Sequence, residues 1–402
     1  MTVAVATAPD VFDDLVGQER VVAELRRAVA AADAILRGEP ITDSAQPGAA
    51  MTHAWLFTGP PGSGRSTAAR AFAAALQCPS GGCGTCAACH TVRMGTHADV
   101  EVVRPSGLSY GVADTRDLVR RAALSPAGNR WQVILIEDAD RLTEDAANAL
   151  LKAIEEPAAR TVWLLCTPSA DDLEPTIRSR CRLMVLRTPT NAAVAEVLVR
   201  RDGIDPAMAA FAARAAGGHI GRARRLATDE RSRLRRQEVL RLPLQLADIG
   251  SCITAAANLV DATTEDAAEA TADLDATETE ELSLALGAGA TGRGMPRGAE
   301  GLLKDLERRQ KARTTRTKRD ALDRALLDLA SFYRDVLAVQ SSATVGLTND
   351  ELRSSIEKVA RSTSAEETLH RLDAILACRE AIEANVAPLL AVESMMLRLR
   401  IR

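Results

Sequence analysis

Aromatic residues are scarce in this 402-residue chain, where Phe, Trp and Tyr together make up 2 % of the sequence. Few rings leave few platforms on which unpaired bases could stack, which argues against a dedicated binder of single-stranded nucleic acid. Apolar residues still make up 47 % of the chain and alanine is abundant among them. This composition favours a helix-rich globular protein with buried cores.

The chain also lacks an uninterrupted apolar run of the ~18 residues that a membrane-spanning helix needs. Residues 1–14 contain acids but no Lys or Arg, which argues against a secretory signal peptide. We therefore expect a cytoplasmic protein.

Neither sign of charge dominates, because 50 Lys and Arg residues stand against 54 Asp and Glu residues. A stand-alone nucleic-acid-binding protein usually carries a basic excess, so any contact with DNA must be local or shared with other chains. The length exceeds one ordinary domain, and we expect two or three domains.

Strand-like apolar runs alternate with helical segments in the first half of the chain and then stop. The predicted strands are His53–Phe57, Val100–Val103, Trp131–Ile136, Val162–Cys166 and Leu183–Leu186. The alternation predicts an α/β domain with a mainly parallel sheet over residues 1–188. Residues 189–242 predict a small helical unit that includes one helix over Gly221–Leu242, and residues 243–402 predict an all-helical domain.

Two oppositely charged segments interrupt the last domain. Asp261–Glu281 holds nine acids and no base, whereas Lys304–Arg319 holds eight bases and two acids. The glycine-rich segment 287–301 lies between them. This pattern predicts a flexible, charged, glycine-punctuated loop or excursion over residues 261–319.

A glycine-rich loop follows the first predicted strand and precedes an alanine-rich helix. Its pattern, Gly59-x4-Gly64-Arg65-Ser66, matches the phosphate-binding loop of nucleotide hydrolases except that Arg65 replaces lysine. Backbone N–H groups of such a loop can bind phosphate, but a planar guanidinium does not substitute for the compact ammonium of lysine. The predicted ATP- or ADP-binding residues here are Gly59, Gly62, Gly64, Arg65, Ser66 and Thr67. The alternative is a glycine turn without a ligand.

A second nucleotide motif is suggested by the run Val133–Asp138, a hydrophobic strand that ends in two acids. A hydrolytic version has Asp for the magnesium shell followed by Glu for the attacking water, and here the order is inverted to Glu137-Asp138. Catalytic geometry is sensitive to displacements of one methylene group. The inversion therefore favours a degenerate site, and two acids at a solvent-exposed strand end are the alternative.

Four of the eight cysteines crowd into the pattern Cys78-x4-Cys83-x2-Cys86-x2-Cys89. Four closely spaced thiolates with intervening glycines are typical of a structural Zn²⁺ site, in which no coordination position stays open for water. We expect a zinc module over residues 78–89, and unliganded loop cysteines are the alternative.

Four motifs together resemble the bacterial clamp-loader family of the AAA+ class. In order along the chain, they are Asp14-Leu15-Val16-Gly17-Gln18-Glu19, the glycine loop, Asn148-Ala149-Leu150-Leu151-Lys152 with Glu155-Glu156-Pro157, and Thr176-Ile177-Arg178-Ser179-Arg180-Cys181. The resemblance extends over nearly the whole chain. The string ending in Glu-Glu-Pro, followed by Ser-Arg-Cys, is the most specific part.

The resemblance implies a P-loop AAA+ domain with an inserted zinc module, a helical lid and an all-helical collar that packs into a hetero-pentameric ring. The implied partners are gamma/tau-type ATPases and the delta subunit of DNA polymerase III, with the sliding clamp and primed DNA reached through the assembly. Arg180 occupies the position of an arginine that projects into a neighbouring subunit's ATP site, as an arginine finger does. Thr167 matches the first sensor position, whereas Gly221 replaces the arginine of the second sensor.

The departures at Arg65, Glu137-Asp138 and Gly221 favour a non-hydrolysing subunit that completes a partner's ATP site. One alternative is an active ATPase of the same class, which the intact glycines permit. Another is a zinc-dependent nucleic-acid-binding module, suggested by the cysteines and by the basic segments Arg222–Arg241 and Lys304–Arg319. At the arginine motif itself, a surface salt bridge is the alternative to a finger.

Overall fold

The computed structural model describes residues 10–39, 51–105, 107, 109–128, 130–286 and 299–400. It divides into two compact units, Met1–Thr228 and Asp229–Arg402. Across these described ranges, no helix is long and apolar enough to span a membrane. The division at residues 188 and 242 expected from the sequence stays a prediction.

The first unit is built on a five-stranded parallel sheet, as the alternating pattern predicted. Its strands are β1 Ala54–Thr58, β2 Val100–Val103, β3 Gln132–Ile136, β4 Thr161–Thr167 and β5 Arg182–Val185. They lie in the order β2-β3-β4-β1-β5, so the carboxyl ends of β3, β4 and β1 are neighbours at one edge. Ligands of open α/β sheets bind at this edge.

The central strands β1, β3 and β4 are buried on both faces, which explains their continuous apolar runs. Alternate residues of one strand point to opposite faces. Trp55 and Phe57 pack into the core cluster on one face, and Leu56 packs into the cluster on the other. The sheet therefore holds its carboxyl ends in fixed positions.

Nine α-helices accompany the sheet in the described part of the first unit. They are α1 Glu19–Leu36, α2 Arg65–Gln77, α3 Ala87–Met94, α4 Val112–Ala122, α5 Glu144–Glu155, α6 Pro175–Arg178, α7 Asn191–Asp202, α8 Pro206–Ala216 and α9 Ile220–Thr228. Helices α7, α8 and α9 share a small core of their own, rich in alanine.

The second unit is all-helical in its described residues. Its helices are α10 Glu230–Arg241, α11 Ile249–Ala285, α12 Ala299–Gln340, α13 Arg353–Ser362, α14 Ala365–Glu383 and α15 Pro388–Leu399. The core contains fully buried Phe332 and Tyr333, whose rings meet edge to face. The fold class expected from the sequence, an α/β domain followed by helical regions, is confirmed.

Of the loop or excursion predicted over residues 261–319, the loop is wrong where the structure describes this segment. Residues 261–285 continue α11, and residues 299–319 begin α12. Acids on one helix pair with bases on the other, as Arg313 does with Asp275 at 2.9 Å and Glu278 at 2.7 Å. This pairing offsets the repulsion that each segment has alone. Residues 287–298 of the glycine-rich segment lie outside the described residues.

The single helix predicted over Gly221–Leu242 is also wrong, because the chain breaks between α9 and α10. Asp229 adopts an extended conformation at the break, and its carboxylate accepts hydrogen bonds from the backbone N–H groups of Arg231 and Ser232. A carboxylate bonded in this way caps a new helix. The capping residue Asp229 could be seen in the sequence, but it lay inside the helical periodicity that predicted one continuous helix.

Candidate functional site

The glycine loop joins the end of β1 to the start of α2, at the carboxyl edge of the sheet. Gly59, Gly62 and Gly64 have φ angles of 149°, 89° and 91°, in the region that favours glycine. A Cβ added to Gly62 would lie 2.7 Å from the Cβ of His219, so His219 packs directly against the loop. The loop conformation thus depends on its glycines, as the motif predicted.

Polar atoms without partners lie at the start of α2. Ser63 is 2 % exposed, and its Oγ has no hydrogen-bond partner among the residues that the structure describes. One terminal nitrogen of Arg65 is likewise buried and unpartnered, while Ser66 is half-buried and Thr67 is exposed in the first helical turn. Unsatisfied donors at a helix N-terminus are chemically suited to an anion such as phosphate.

Glu137 lies at the end of β3 with its side chain 10 % exposed, held between two arginines. Arg70 Nη2 donates to one carboxylate oxygen at 2.7 Å, and Arg104 Nε donates to the other at 2.6 Å. Burial opposes ionisation of Glu137, but the two guanidinium groups outweigh it and keep its pKa below the ordinary value. The next residue, Asp138, has a φ angle of 53°.

We call this arrangement the Glu137 clamp. In it, Arg70 and Arg104 each donate a hydrogen bond to one of the two carboxylate oxygens of Glu137. Magnesium in a nucleotide hydrolase needs a carboxylate in its ligand shell at this strand end. Binding of a cation by Glu137 would have to displace two charge-assisted hydrogen bonds, which are among the stronger ones in proteins. The geometry disfavours a metal at Glu137.

Thr167 ends β4 directly beside the end of β1, where its Cα pairs with that of Thr58. Thr167 is fully buried, and its hydroxyl donates to the backbone oxygen of Ser169 at 2.9 Å. The structure therefore brings Thr167 to the same sheet edge as the glycine loop and Glu137. The proton of its hydroxyl is already engaged in a local turn.

The three arginines of the Ser-Arg-Cys motif differ in their surroundings. Arg182 pairs with Glu24 at 2.5 Å and stacks over the ring of Trp55 at 5.1 Å, so it supports the fold. Arg178 pairs with Asp171. Arg180 follows the end of α6 and is exposed, a difference that the sequence alone could not establish.

Within the described part of the chain, the Arg180 guanidinium contacts only groups of its own surface region. Its Nη2 lies 2.5 Å from the carboxylate of Glu155, and its Nη1 donates to the backbone oxygen of Thr176 at 2.8 Å. The side chains of Arg180 and Glu155 are 39 % and 44 % exposed. A surface ion pair of this kind is weak, so the guanidinium can exchange Glu155 for another anion at low cost.

Glu155 belongs to α5, whose exposed side also carries Asn148 and Lys152. Thr143 caps this helix by accepting a hydrogen bond from the N–H of Ala146. The two most specific motifs of the sequence thus meet through the Glu155–Arg180 pair.

The four clustered cysteines converge before and within α3. Their sulfur atoms all lie within 4.8 Å of one another, and Cys78 Sγ is 3.6 Å from that of Cys83 and 3.7 Å from that of Cys86. A tetrahedron of thiolates at about 2.3 Å from zinc places its sulfur atoms ~3.8 Å apart. The cluster therefore fits a tetrahedral metal, as the spacing predicted for Cys78, Cys83, Cys86 and Cys89.

Backbone groups support the thiolate form in this cluster. The N–H groups of Ser80 and Cys83 point to Cys78 Sγ at 3.4 Å. Hydrogen bonds from Thr85 help to lower the pKa of Cys83 to about 6, whereas burial raises the pKa of Cys89. Metal binding requires deprotonated thiols, so Cys83 is prepared for it and Cys89 depends on the metal's own charge.

Sequence reasoning missed Arg70, Arg104 and the pairing role of Glu155. Arg70 and Arg104 lie 67 and 33 residues from Glu137 in the chain. No local periodicity signals a contact over such a separation. The one available signal was the need of a buried acid at a strand end for a cationic partner.

Two family models match the chain. Residues 41–190 match the model described as DNA polymerase III, delta subunit, and residues 316–400 match the model for the C-terminal region of the same subunit. Together these matches cover more than half of the chain.

Curated relatives match mainly the first unit. The delta' subunit of DNA polymerase III from Pseudomonas aeruginosa is 39 % identical over 39 % of this chain and 50 % of its own length. Subunit gamma/tau from Mycobacterium tuberculosis (strain H37Rv) is 32 % identical over 52 % of this chain and 35 % of its own. The chain thus spans half or less of the length of these relatives.

A solved structure of a gamma subunit-related protein of DNA polymerase III from Thermotoga maritima is similar at a TM-score of 0.39 and 16 % identity. That similarity covers 93 % of this chain and 100 % of the other.

Proposed function

The chain belongs to the family of DNA polymerase III clamp-loader subunits, and from this premise we propose that it acts as a delta-prime-type subunit in DNA replication. In this role it hydrolyses no ATP itself. It organises a ring with gamma/tau-type and delta subunits in the cytoplasm and supplies Arg180 to a neighbour's ATP site. The ring loads the sliding clamp onto primed DNA.

The observation that carries the proposal is the Glu137 clamp. A hydrolytic site needs a free carboxylate at this position to hold magnesium, whereas Arg70 and Arg104 neutralise Glu137 from both sides. Replacement of the loop lysine by Arg65 and of the sensor arginine by Gly221 acts in the same direction. These three independent departures from the hydrolytic pattern all oppose ATP hydrolysis by this chain.

ATP or ADP can still bind without being hydrolysed. The backbone of Gly59, Gly62 and Gly64 and the unpartnered Ser63 Oγ would hold the phosphates, with Arg65 as the neighbouring cation. A bound nucleotide supplies two or three phosphate anions and no chemistry that these residues complete. Its role would then be to stabilise the loop.

Arg180 is the proposed catalytic residue, and it acts in trans. An arginine finger places a guanidinium against the phosphate oxygens on which negative charge develops during hydrolysis. Arg180 is exposed, and its only acidic partner among the described residues is Glu155. In the assembled ring a neighbour's phosphates would replace Glu155 as the anion that Arg180 contacts.

The test uses the reconstituted ring with this chain carrying Arg180→Ala. We expect clamp-stimulated ATP turnover to fall ~10-fold or more, less than a full finger effect because the other subunits keep their own arginines. Arg178→Ala is the matched control, since it removes an equally exposed guanidinium from the same motif. Unchanged turnover with Arg180→Ala, or an equal loss with Arg178→Ala, contradicts the assignment.

We also propose that Cys78, Cys83, Cys86 and Cys89 hold one structural Zn²⁺. The sulfur spacing and the supporting N–H groups favour this metal, and four protein ligands leave no position for a reacting water. Metal analysis of protein purified without added zinc should find one ion per chain. Cys86→Ser should lose it, whereas Cys378→Ser, a buried thiol of the second unit, should keep it. Metal-free wild-type protein would contradict the site.

A further inference from the structure

A helical arm projects from the hydrophobic core of the second unit. We define the arm as residues 261–285 of α11 together with residues 299–319 of α12. The core cluster uses α11 up to Val260 and α12 from Leu322 onward, so the arm lies beyond it. Almost all of the arm also lies between the regions that the family models match. The proposed clamp-loader function does not use it.

The two halves of the arm are antiparallel. Thr271 on α11 meets Thr314 on α12 at 3.3 Å, and Gln310, earlier on α12, donates to the backbone oxygen of Asp275, later on α11, at 2.9 Å. The seam buries mainly small residues, with Ala267 fully buried and Thr271 and Leu306 each 5 % exposed. The arm is therefore held by a narrow seam and by ion pairs, and its outer faces are solvent-accessible.

One outer face of α12 is a stripe of cations. Residues at successive spacings of four and three lie on one face of a helix. We name as the basic stripe the five residues on this spacing, which are Lys304, Arg308, Lys311, Thr315 and Lys318. The stripe contains four cations, one hydroxyl and no acid.

The same helical face changes its role farther along α12. Further steps of three or four residues from Lys318 lead through five core residues, all fully buried, namely Leu322, Leu326, Leu329, Tyr333 and Val336. Where other helices cover this face it is apolar, and in the arm it is polar and cationic. The change from apolar to cationic side chains indicates that this part of the face contacts water or a charged partner. It is not a face from which a hydrophobic packing partner has been left out.

Three of the four charges of the basic stripe have no acidic partner within the described residues. Among the described residues, Lys304, Lys311 and Lys318 have no ion-pair partner, and Arg308 pairs with exposed Asp305 at 3.2 Å. The acids of α11 that form ion pairs use other cations: Asp275 and Glu278 pair with Arg313, Glu269 pairs with Arg231, and Glu265 and Asp266 pair with Arg235. Solvated helix faces ordinarily mix the two signs of charge. A stripe of one sign creates a local positive potential that attracts a polyanion.

We propose that the basic stripe binds the phosphate backbone of double-stranded DNA without reading its sequence. Fourteen residues separate Lys304 from Lys318, so the stripe is ~21 Å long at about 1.5 Å per residue and can face several successive phosphates. The hydroxyl of Thr315 already donates to the backbone oxygen of Lys311 at 2.9 Å, so the phosphate contacts rest on the four cations.

The composition of the stripe selects this ligand over two others. Protein interfaces are anchored by buried aromatic or apolar side chains, and the stripe contains none. Single strands bind to aromatic rings on which bases stack, and these are absent from the stripe too. A contact made by cations alone, with affinity that falls steeply as salt rises, is the mode in which proteins hold a duplex backbone.

The test measures binding of a short fluorescent duplex of arbitrary sequence to the full chain, without nucleotide or partner subunits, over a series of salt concentrations. The triple variant Lys304→Gln, Lys311→Gln, Lys318→Gln should weaken binding at low salt by ~10-fold or more. It should also reduce the slope of log K against log salt by about 3, at ~0.9 for each phosphate that the variant no longer neutralises. Arg180→Ala should bind normally, so this result is independent of the clamp-loader proposal.

The control removes the same charge from other exposed positions, with Arg309→Gln, Lys358→Gln and Arg398→Gln together. It should retain most of the affinity and the salt slope, and circular dichroism should show equal helix content in both variants. Absence of duplex binding by the wild type, or equal losses in the two triple variants, overturns the proposal. Tighter binding to poly-glutamate than to duplex at equal charge also overturns it, in favour of an acidic protein partner.

Discussion

The Glu137 clamp and the Arg180 surface are two charged regions of the first unit. They differ in how far their charges are buried and neutralised within the chain. At the carboxyl end of β3, Arg70 and Arg104 neutralise a carboxylate whose side chain is 10 % exposed. At the arginine motif, Arg180 and its partner Glu155 are both well exposed. One region satisfies its charges within the chain, and the other can offer its charge to a second molecule.

The difference follows from burial. Removing the two guanidinium groups from Glu137 would leave a poorly hydrated carboxylate, and a buried charge without a partner is strongly unfavourable. Separating Arg180 from Glu155 costs only a surface ion pair, typically about 0–1 kcal/mol. This difference supports the proposal that the chain completes another subunit's ATP site and does not operate one of its own.

The largest expected effect comes from Arg180→Lys in the assembled ring. Lysine keeps the charge but lacks the planar fork that contacts two phosphate oxygens, so ATP turnover should fall ~10-fold. Glu155→Gln removes the same ion pair yet keeps the guanidinium, and turnover should stay within ~2-fold. If the two variants lose activity equally, Arg180 serves the Glu155 pair and the contrast between the regions fails.

A smaller effect is expected from Glu137→Gln. Loss of two partly exposed charge-assisted hydrogen bonds should lower the free energy of unfolding by about 1–2 kcal/mol at neutral pH. Because the folded-state pKa of Glu137 lies below its ordinary value of 4.5, this contribution is present above pH 4.5 and is lost as pH falls through the folded pKa. Chemical denaturation of both proteins at several pH values measures the difference. A gap that widens in acid contradicts the clamp.

The smallest effect is expected from restoring the hydrolytic pattern. The triple variant Arg65→Lys, Glu137→Asp, Asp138→Glu should give no measurable ATP turnover, because Arg70 and Arg104 remain and Gly221 still lacks a guanidinium. Adding Arg104→Gln to this variant tests the clamp separately. Turnover that appears with the triple variant alone would assign the defect to the motif residues and not to the clamp.

The sheet was predictable because its central strands are buried on both faces and therefore read as continuous apolar runs. Four of the five predicted strands differ from the observed ones at their ends by a residue, as β1 does at Ala54–Thr58. Strand order was not predictable, since pairing such as that of Thr58 with Thr167 joins distant segments. The cysteine cluster was predictable because its four ligands are local in sequence.

The arm was not predictable from either of its halves. Nine acids in Asp261–Glu281 repel one another when considered alone. A stabilising base such as Arg313 lies on α12, 38 residues beyond its partner Asp275. The Glu137 clamp was missed for the same reason. Local sequence patterns indicate whether a residue is buried. Ion pairs between residues that are far apart in the chain can be identified only in the folded structure.

The most direct test of the central claim is steady-state ATP turnover by the purified wild-type chain with magnesium, alone and then with gamma/tau-type and delta subunits. We expect phosphate release at the level of the buffer blank for the chain alone, and turnover only when the partners are added. Saturable, magnesium-dependent turnover by the isolated chain that Glu137→Gln abolishes would contradict this expectation, because Glu137 would then be a working metal ligand.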